Sequence, residues 1–177
     1  MIPGILIALL TFPGVIVHEI GHEFFCRLTG VLVYDVKYFR VGNPAGYVIH
    51  SRPKNFSQQF WITVGPFIVN SVVAVVVALP AALPYFILGA PMSILHWFLL
   101  WVGVSVGMHA FPSSGDAKSL LSSIKFYRAQ AGPLIVLAYP FAWAIFIANV
   151  LRFFWIDFFY TAFLVTLVPK GLVALIK

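Results

Sequence analysis

Residues 15–24 read "VIVHEIGHEF", placing two histidines and two glutamates within six positions of an otherwise apolar run. An ionisable side chain at hydrocarbon depth is costly and marks a functional position. The run around it extends over about 2–26, near the roughly 20 residues a helix needs to cross a bilayer. Comparable runs lie at about 57–80, 92–111, 133–151 and 153–168. Of 177 residues, 62% are hydrophobic and 9% charged, with a mean hydropathy of +1.00; soluble domains are roughly half apolar and a quarter charged. The pattern predicts an all-α polytopic membrane protein, a bundle of about five transmembrane helices. The fifth run, carrying Asp157 soon after Arg152, also suits a tilted and partly interfacial helix.

Charge placement predicts an orientation. Arg27, Lys37, Arg40, Arg52 and Lys54 follow the first run, Lys118, Lys125 and Arg128 the third, and Lys170 and Lys177 the fifth. With the N-terminus outside a cell membrane, all of these face the cytoplasm and only Arg152 faces out, as the positive-inside bias requires. The net charge of +6 is therefore no sign of nucleic-acid binding, which needs a basic, water-exposed domain. The absence of a basic n-region argues against a cleaved signal peptide. The single cysteine, Cys26, excludes a disulfide within the chain and reads as a small apolar-like residue at a helix end.

No repeat or soluble appendage interrupts residues 1–177, which read as a single transmembrane domain. Within it, 31–54, "VLVYDVKYFRVGNPAGYVIHSRPK", holds two strand-like runs around Gly42, Asn43, Pro44 and Gly46, predicting a β-hairpin after the first helix. Its edges cannot face lipid, so it belongs at the membrane interface or along a cavity. Residues 112–133, "PSSGDAKSLLSSIKFYRAQAGP", predict a turn and a short amphipathic helix ending at Gly132–Pro133.

On a helix, His18 and His22 project from one face one turn apart and reach one metal ion. Glu19 beside them completes His-Glu-x-x-His, a Zn2+ signature in which the glutamate is the general base. The competing reading has these groups only hydrogen-bonding neighbouring helices. Glu23 precedes Arg27 by four residues, a structural ion pair. A catalytic zinc takes three protein ligands, and in "MHAFPSSGDAKSL" Asp116 lies at matching depth. His109 is the alternative ligand, and Asp116 also suits the N-cap of a helix starting at Ala117.

The chain resembles the site-2 protease family of intramembrane zinc metalloproteases over about residues 10–122. The resemblance rests on "HEIGH" at 18–22, the hairpin "VGNPAGYVIHSRP", "VGPFIVNSVVA" at 64–74, where Gly65, Pro66 and Asn70 are similar to Gly-Pro-x-x-x-Asn, and "HAFPSSGD" at 109–116. The last departs from the family's Asn-x-x-Pro-x-x-Pro-x-Asp-Gly: Asp116 comes two places late, and Val106 stands near the asparagine's place. The resemblance implies a protease core over 1–122, additional helices over 123–177, an active site toward the cytoplasmic side, and substrates that are membrane-anchored proteins with a transmembrane segment. Asn70 is expected near the substrate or in an interhelical hydrogen bond. Gly46, Tyr47 and Val48 are expected to bind substrate, the hairpin edge pairing with an unwound segment. A catalytically inactive protein that binds transmembrane partners is the alternative, and a metal carrier a weaker one. Gly103 and Gly107 predict close helix packing, and Pro66 a break admitting water or substrate. His50 and His96 read as remote from the cluster, and "RFFWIDFFY" at 152–160 as an interface belt.

Overall fold

The computed structural model describes residues 4–131, 135–136 and 138–176; the boundary expected at Gly132–Pro133 lies outside them. Helices α1 (Gly4–Leu10) and α2 (Phe12–Leu28) lead into strands β1 (Val33–Lys37) and β2 (Tyr47–His50). Then follow α3 (Phe56–Leu88), α4 (Ile94–Met108), α5 (Ser114–Ala131) and α6 (Ala138–Leu151). A 3-10 turn at Arg152–Phe154 precedes α7 (Ile156–Ala162), a π-helical turn at Phe163–Leu167, and α8 (Val168–Ile176). The fold is mostly helical with one small antiparallel sheet.

The helical bundle with its small hairpin forms as expected, but the apolar runs do not each become one long helix. Among the described residues, Phe56–Tyr85 is the one helix long and apolar enough by itself to cross a membrane. The α1–α2 pair, and Ala138–Phe154 with Ile156–Leu172, meet that test only with their halves taken together, each bent by 90°. Pro13, near the start of α2, has no N–H to continue the α1 ladder, while the Thr11 hydroxyl donates to Ile7 O at 2.6 Å. At the second bend Trp155 adopts φ +60° and its N–H donates to Arg152 O at 3.0 Å. This left-handed residue ends the helical ladder as a glycine C-cap does, though with a side chain it costs roughly 1–2 kcal/mol. At 1.5 Å per residue, α4 is only about 22 Å long and α6 about 21 Å, short of a hydrocarbon core of roughly 30 Å.

Helix α3 carries a face-inverted pattern. Ile68, Val72 and Val76 point outward, whereas Thr63, Pro66, Asn70, Ala74, Ala78 and Ala81 point inward. Small residues inside let helices approach closely. Gly103 and Gly107 do what their spacing predicts: an added Cβ would lie 2.9 Å from Ala78 Cβ and 2.7 Å from Thr161 Cγ2 respectively. Pro66 does not interrupt α3, correcting the expected break, because the ladder closes on either side of the one missing donor. Asn70, fully buried, donates from Nδ2 to Gly14 O at 3.2 Å and Val106 O at 3.0 Å, tying α2, α3 and α4 together.

Two further packings hold the site's surroundings. Val31 N–H donates to Cys26 O at 2.8 Å and Gly30 N–H to Arg27 O at 3.1 Å, with Gly30 at φ +73°. This Schellman turn ends α2 and starts the hairpin. Beneath the hairpin, Phe25, Cys26, Val31 and Ile62 pack with Val33 and Val48. The amphipathic α5 buries Ala117, Leu120, Ile124 and Tyr127 against Ala138, Ala142 and Ile145 of α6. Fully burying Leu120 and Ile124 contributes about 1.5–3 kcal/mol each.

Candidate metal centre

Side chains from α2 and α5 converge although about a hundred residues separate them. His18, His22 and Asp116 each offer a ligand atom, all within 4.8 Å of one another. His22 Nε2 lies 3.5 Å from Asp116 Oδ1, and His18 Nε2 lies 3.9 Å from Asp116 Oδ2. Tetrahedral ligands at zinc distances stand about 3.3 Å apart, so the group can hold a metal ion with only small closure.

Each imidazole is oriented by a backbone carbonyl. His18 Nδ1 donates to His109 O at 2.7 Å, and His22 Nδ1 donates to Ile62 O at 2.9 Å. A carbonyl can only accept, so both Nδ1 atoms carry the proton and both Nε2 lone pairs face the ligand position. Ile62 O is available for a reason written in the sequence: its helical partner four residues on is Pro66, which has no N–H. Gly21 makes the approach possible, since a Cβ there would lie 2.8 Å from Pro66 Cα.

Asp116 is also tied from its own helix. Its Oδ2 accepts from Ser113 N and Ser113 Oγ, both at 2.7 Å, and its own N–H donates to Ser113 Oγ at 3.2 Å. Ser113 O accepts the first helical bond, from Ala117 N, at 3.1 Å. The cap is therefore Ser113, and α5 starts at Ser114 instead of Ala117; Asp116 completes a reciprocal capping box. Capping occupies Oδ2 and leaves Oδ1 toward His22.

His109, the alternative ligand, contributes its carbonyl. Its ring turns toward Thr11, with Nε2 2.8 Å from Thr11 Oγ1, and takes no part in the three-residue group. Glu19 is buried between the two histidines and lines a cavity of about 560 Å³ with them and Asp116. Gly46, Tyr47 and Val48 form another wall. A Cβ on Gly46 would lie 2.7 Å from Glu19 Cγ, so the hairpin rests directly on the glutamate. Asn70 lies away from this wall, in the interhelical bonds described above.

The hairpin pairs Val36 with Val48 and Lys37 with Tyr47, and among the described residues the outer edge of β2 has no strand beside it. Tyr47 donates to Asp35 Oδ2 at 2.8 Å, and Tyr38 donates to Glu23 Oε2. Both phenols are raised above their ordinary pKa by these carboxylate bonds. Glu23 Oε1 also accepts from Arg27 at 2.6 Å, the expected pair.

Several residues at the cavity escape sequence reading. Gln59, whose Nε2 donates to Thr63 Oγ1 at 3.1 Å, lines it with Thr63. His50, expected far from the cluster, lines it too, because β2 folds back over α2. His96 instead closes the capping box of α4 with Ser93. Arg152, expected alone on the opposite membrane face from Asp116, reaches the same cavity, its Nη2 donating to Phe111 O at 3.0 Å. Helix α5 leads away from the metal group and α6, packed against it, leads back, so that Asn149 and Arg152 arrive beside Pro112 and Phe111. Ser113 had a legible signal, Ser-x-x-Asp before an apolar run, and the free carbonyl of Ile62 had one in Pro66 four residues on; the carbonyl of His109 had none.

No family model matches the chain, and neither a curated protein nor a solved structure matches it.

Proposed function

We propose that this protein is a polytopic membrane metalloprotease that uses Zn2+ to hydrolyse peptide bonds within or next to transmembrane segments of membrane-anchored proteins. The observation that carries the reading is the donor set: two histidines with both Nε2 lone pairs turned to one point, a carboxylate beside them, and Glu19 in the same cavity. A membrane setting is supported by the face-inverted α3 and by the two bent apolar pairs, each read as one span.

A bound zinc ion would act as a Lewis acid on the scissile carbonyl and acidify the attacking water. Glu19 takes the proton from that water and returns it to the leaving amine. His18, His22 and Asp116 would hold the ion. A helical substrate hides its carbonyls in its own ladder and must unwind before attack. The outer edge of β2 offers replacement hydrogen bonds, with Gly46, Tyr47 and Val48 alongside the glutamate.

The test measures zinc content and cleavage of a single-span substrate by detergent-purified wild type, Glu19→Gln, His22→Ala, Asp116→Ala and His109→Ala. The reading expects about one zinc per chain in wild type and Glu19→Gln, cleavage only with Glu19, and loss of zinc in His22→Ala. Asp116→Ala should weaken zinc more than His109→Ala. A folded wild type without zinc would sink the metalloprotease; zinc without cleavage of any such substrate would leave a protein that binds transmembrane partners.

A further inference from the structure

Two side chains around the end of α6 reach the segment that leads into the metal centre. Near the end of α6, Asn149 Nδ2 donates to Pro112 O at 3.0 Å, besides an in-helix bond to Ile145 O at 2.8 Å. In the turn after it, Arg152 Nη2 donates to Phe111 O at 3.0 Å, and its Nη1 lies 3.5 Å from Asn149 Oδ1. The two side chains thus hold consecutive carbonyls of the segment joining α4 to α5.

That segment sets two ligands at once. At its start His109 O accepts from His18 Nδ1, and at its end Ser113 N and Oγ hold Asp116 Oδ2. Residues 110–113 have no helical ladder of their own, so outside bonds must fix their path. The Arg152 side chain is only partly buried, yet withdrawing a guanidinium from water beside apolar helices is costly. Arg152 Nε is buried without a hydrogen bond, and Asp157 Oδ2 stands 4.0 Å away. The Phe111 bond and the Asp157 charge are what offset that cost.

We infer that Asn149 and Arg152 are positioning residues for the metal centre: they clamp the Phe111–Pro112 backbone and so set both the carbonyl that orients His18 and the turn that presents Asp116. The inference rests on the metal-centre reading, not on proteolysis.

Cobalt(II) titration in detergent tests it, following affinity and the visible ligand-field band of wild type, Asn149→Leu, Arg152→Met, Arg152→Lys and Trp143→Ala. Loss of an outer partner typically weakens metal binding by about 10–100-fold, and that is expected of Asn149→Leu and Arg152→Met, with a shifted band. Arg152→Lys can still donate to Phe111 O and should stay within about threefold of wild type. Trp143→Ala, on the exposed face of α6, should leave affinity and band unchanged. Wild-type affinity and band in both Asn149→Leu and Arg152→Met would overturn the clamp, as would equal weakening by Trp143→Ala. Cobalt binding with this variant pattern but no proteolysis would sustain the clamp and sink only the protease. Absence of cobalt binding in wild type would overturn both.

Discussion

Replacing Gly46 by alanine adds one methyl group at the junction of hairpin and glutamate. Its Cβ would lie 2.7 Å from Glu19 Cγ, 3.0 Å from Glu19 Oε1 and 3.0 Å from Lys37 O. Ordinary carbon–carbon contact is about 3.5–4.0 Å, so the gap is short by about 1 Å. Retreat of β2 is blocked by the backbone of β1, and Glu19 must yield. A 1 Å misplacement of a catalytic group costs about 10²-fold in rate, or about 2.7 kcal/mol of barrier. The three nearest atoms include none from His18, His22 or Asp116, so zinc content should hold. Gly42→Ala is the internal control: the only neighbour within 4 Å of its Cβ is Arg40 Nε, at 3.8 Å. Cleavage of a single-span substrate, measured beside elemental zinc, decides the matter. On the proposed reading, a Gly46→Ala variant that cuts at the wild-type rate would refute the placement of the hairpin on Glu19, and one that loses its zinc would refute the proposed division between base and ligands.

Two other substitutions probe the scaffold. Pro66→Ala restores an N–H that competes with His22 for Ile62 O; the variant should unfold at a higher temperature, since proline inside a helix costs roughly 3 kcal/mol, yet bind metal more weakly by about tenfold. Unchanged metal affinity would show that the proline-freed carbonyl is irrelevant to His22. Gly107→Ala should destabilise the α4–α7 contact by about 1–3 kcal/mol through overpacking on Thr161. Adding Thr161→Ala should recover most of that loss in detergent unfolding, and strict additivity of the two would contradict the contact.

Local chemistry was the legible part. The i, i+4 histidines, the glycine-rich turn of the hairpin and the serine–aspartate start of α5 are short-range patterns whose geometry follows from residue type alone. Asp116 was reachable because its place just beyond the third apolar run matched the depth of the histidines in the first. Direction was not legible. A hydropathy run records apolar length and is blind to the turn at Trp155, where no glycine or proline announces a left-handed backbone. Arg152 was expected far from Asp116 because α5 read as a short interfacial helix, whereas α5 runs away from the metal group and α6 packs back along it. Pro66 invited the opposite error: it reads as a breaker, yet its missing donor leaves α3 intact and frees a carbonyl that a side chain elsewhere needs. His109 drew attention for its imidazole, while its main chain orients the ligand.

The paired carbonyl bonds of the two imidazoles carry a thermodynamic corollary. His22 leans on α3 through Ile62, His18 on the end of α4 through His109, and Asp116 belongs to α5. An ion held by all three side chains would close a loop through four helices, so occupancy and helix docking become linked functions. At free ion a hundredfold above its dissociation constant, that linkage contributes about 2.7 kcal/mol to the assembled state. Chelation would then loosen helix contacts well beyond the cavity, and the ion would serve as keystone of the arch.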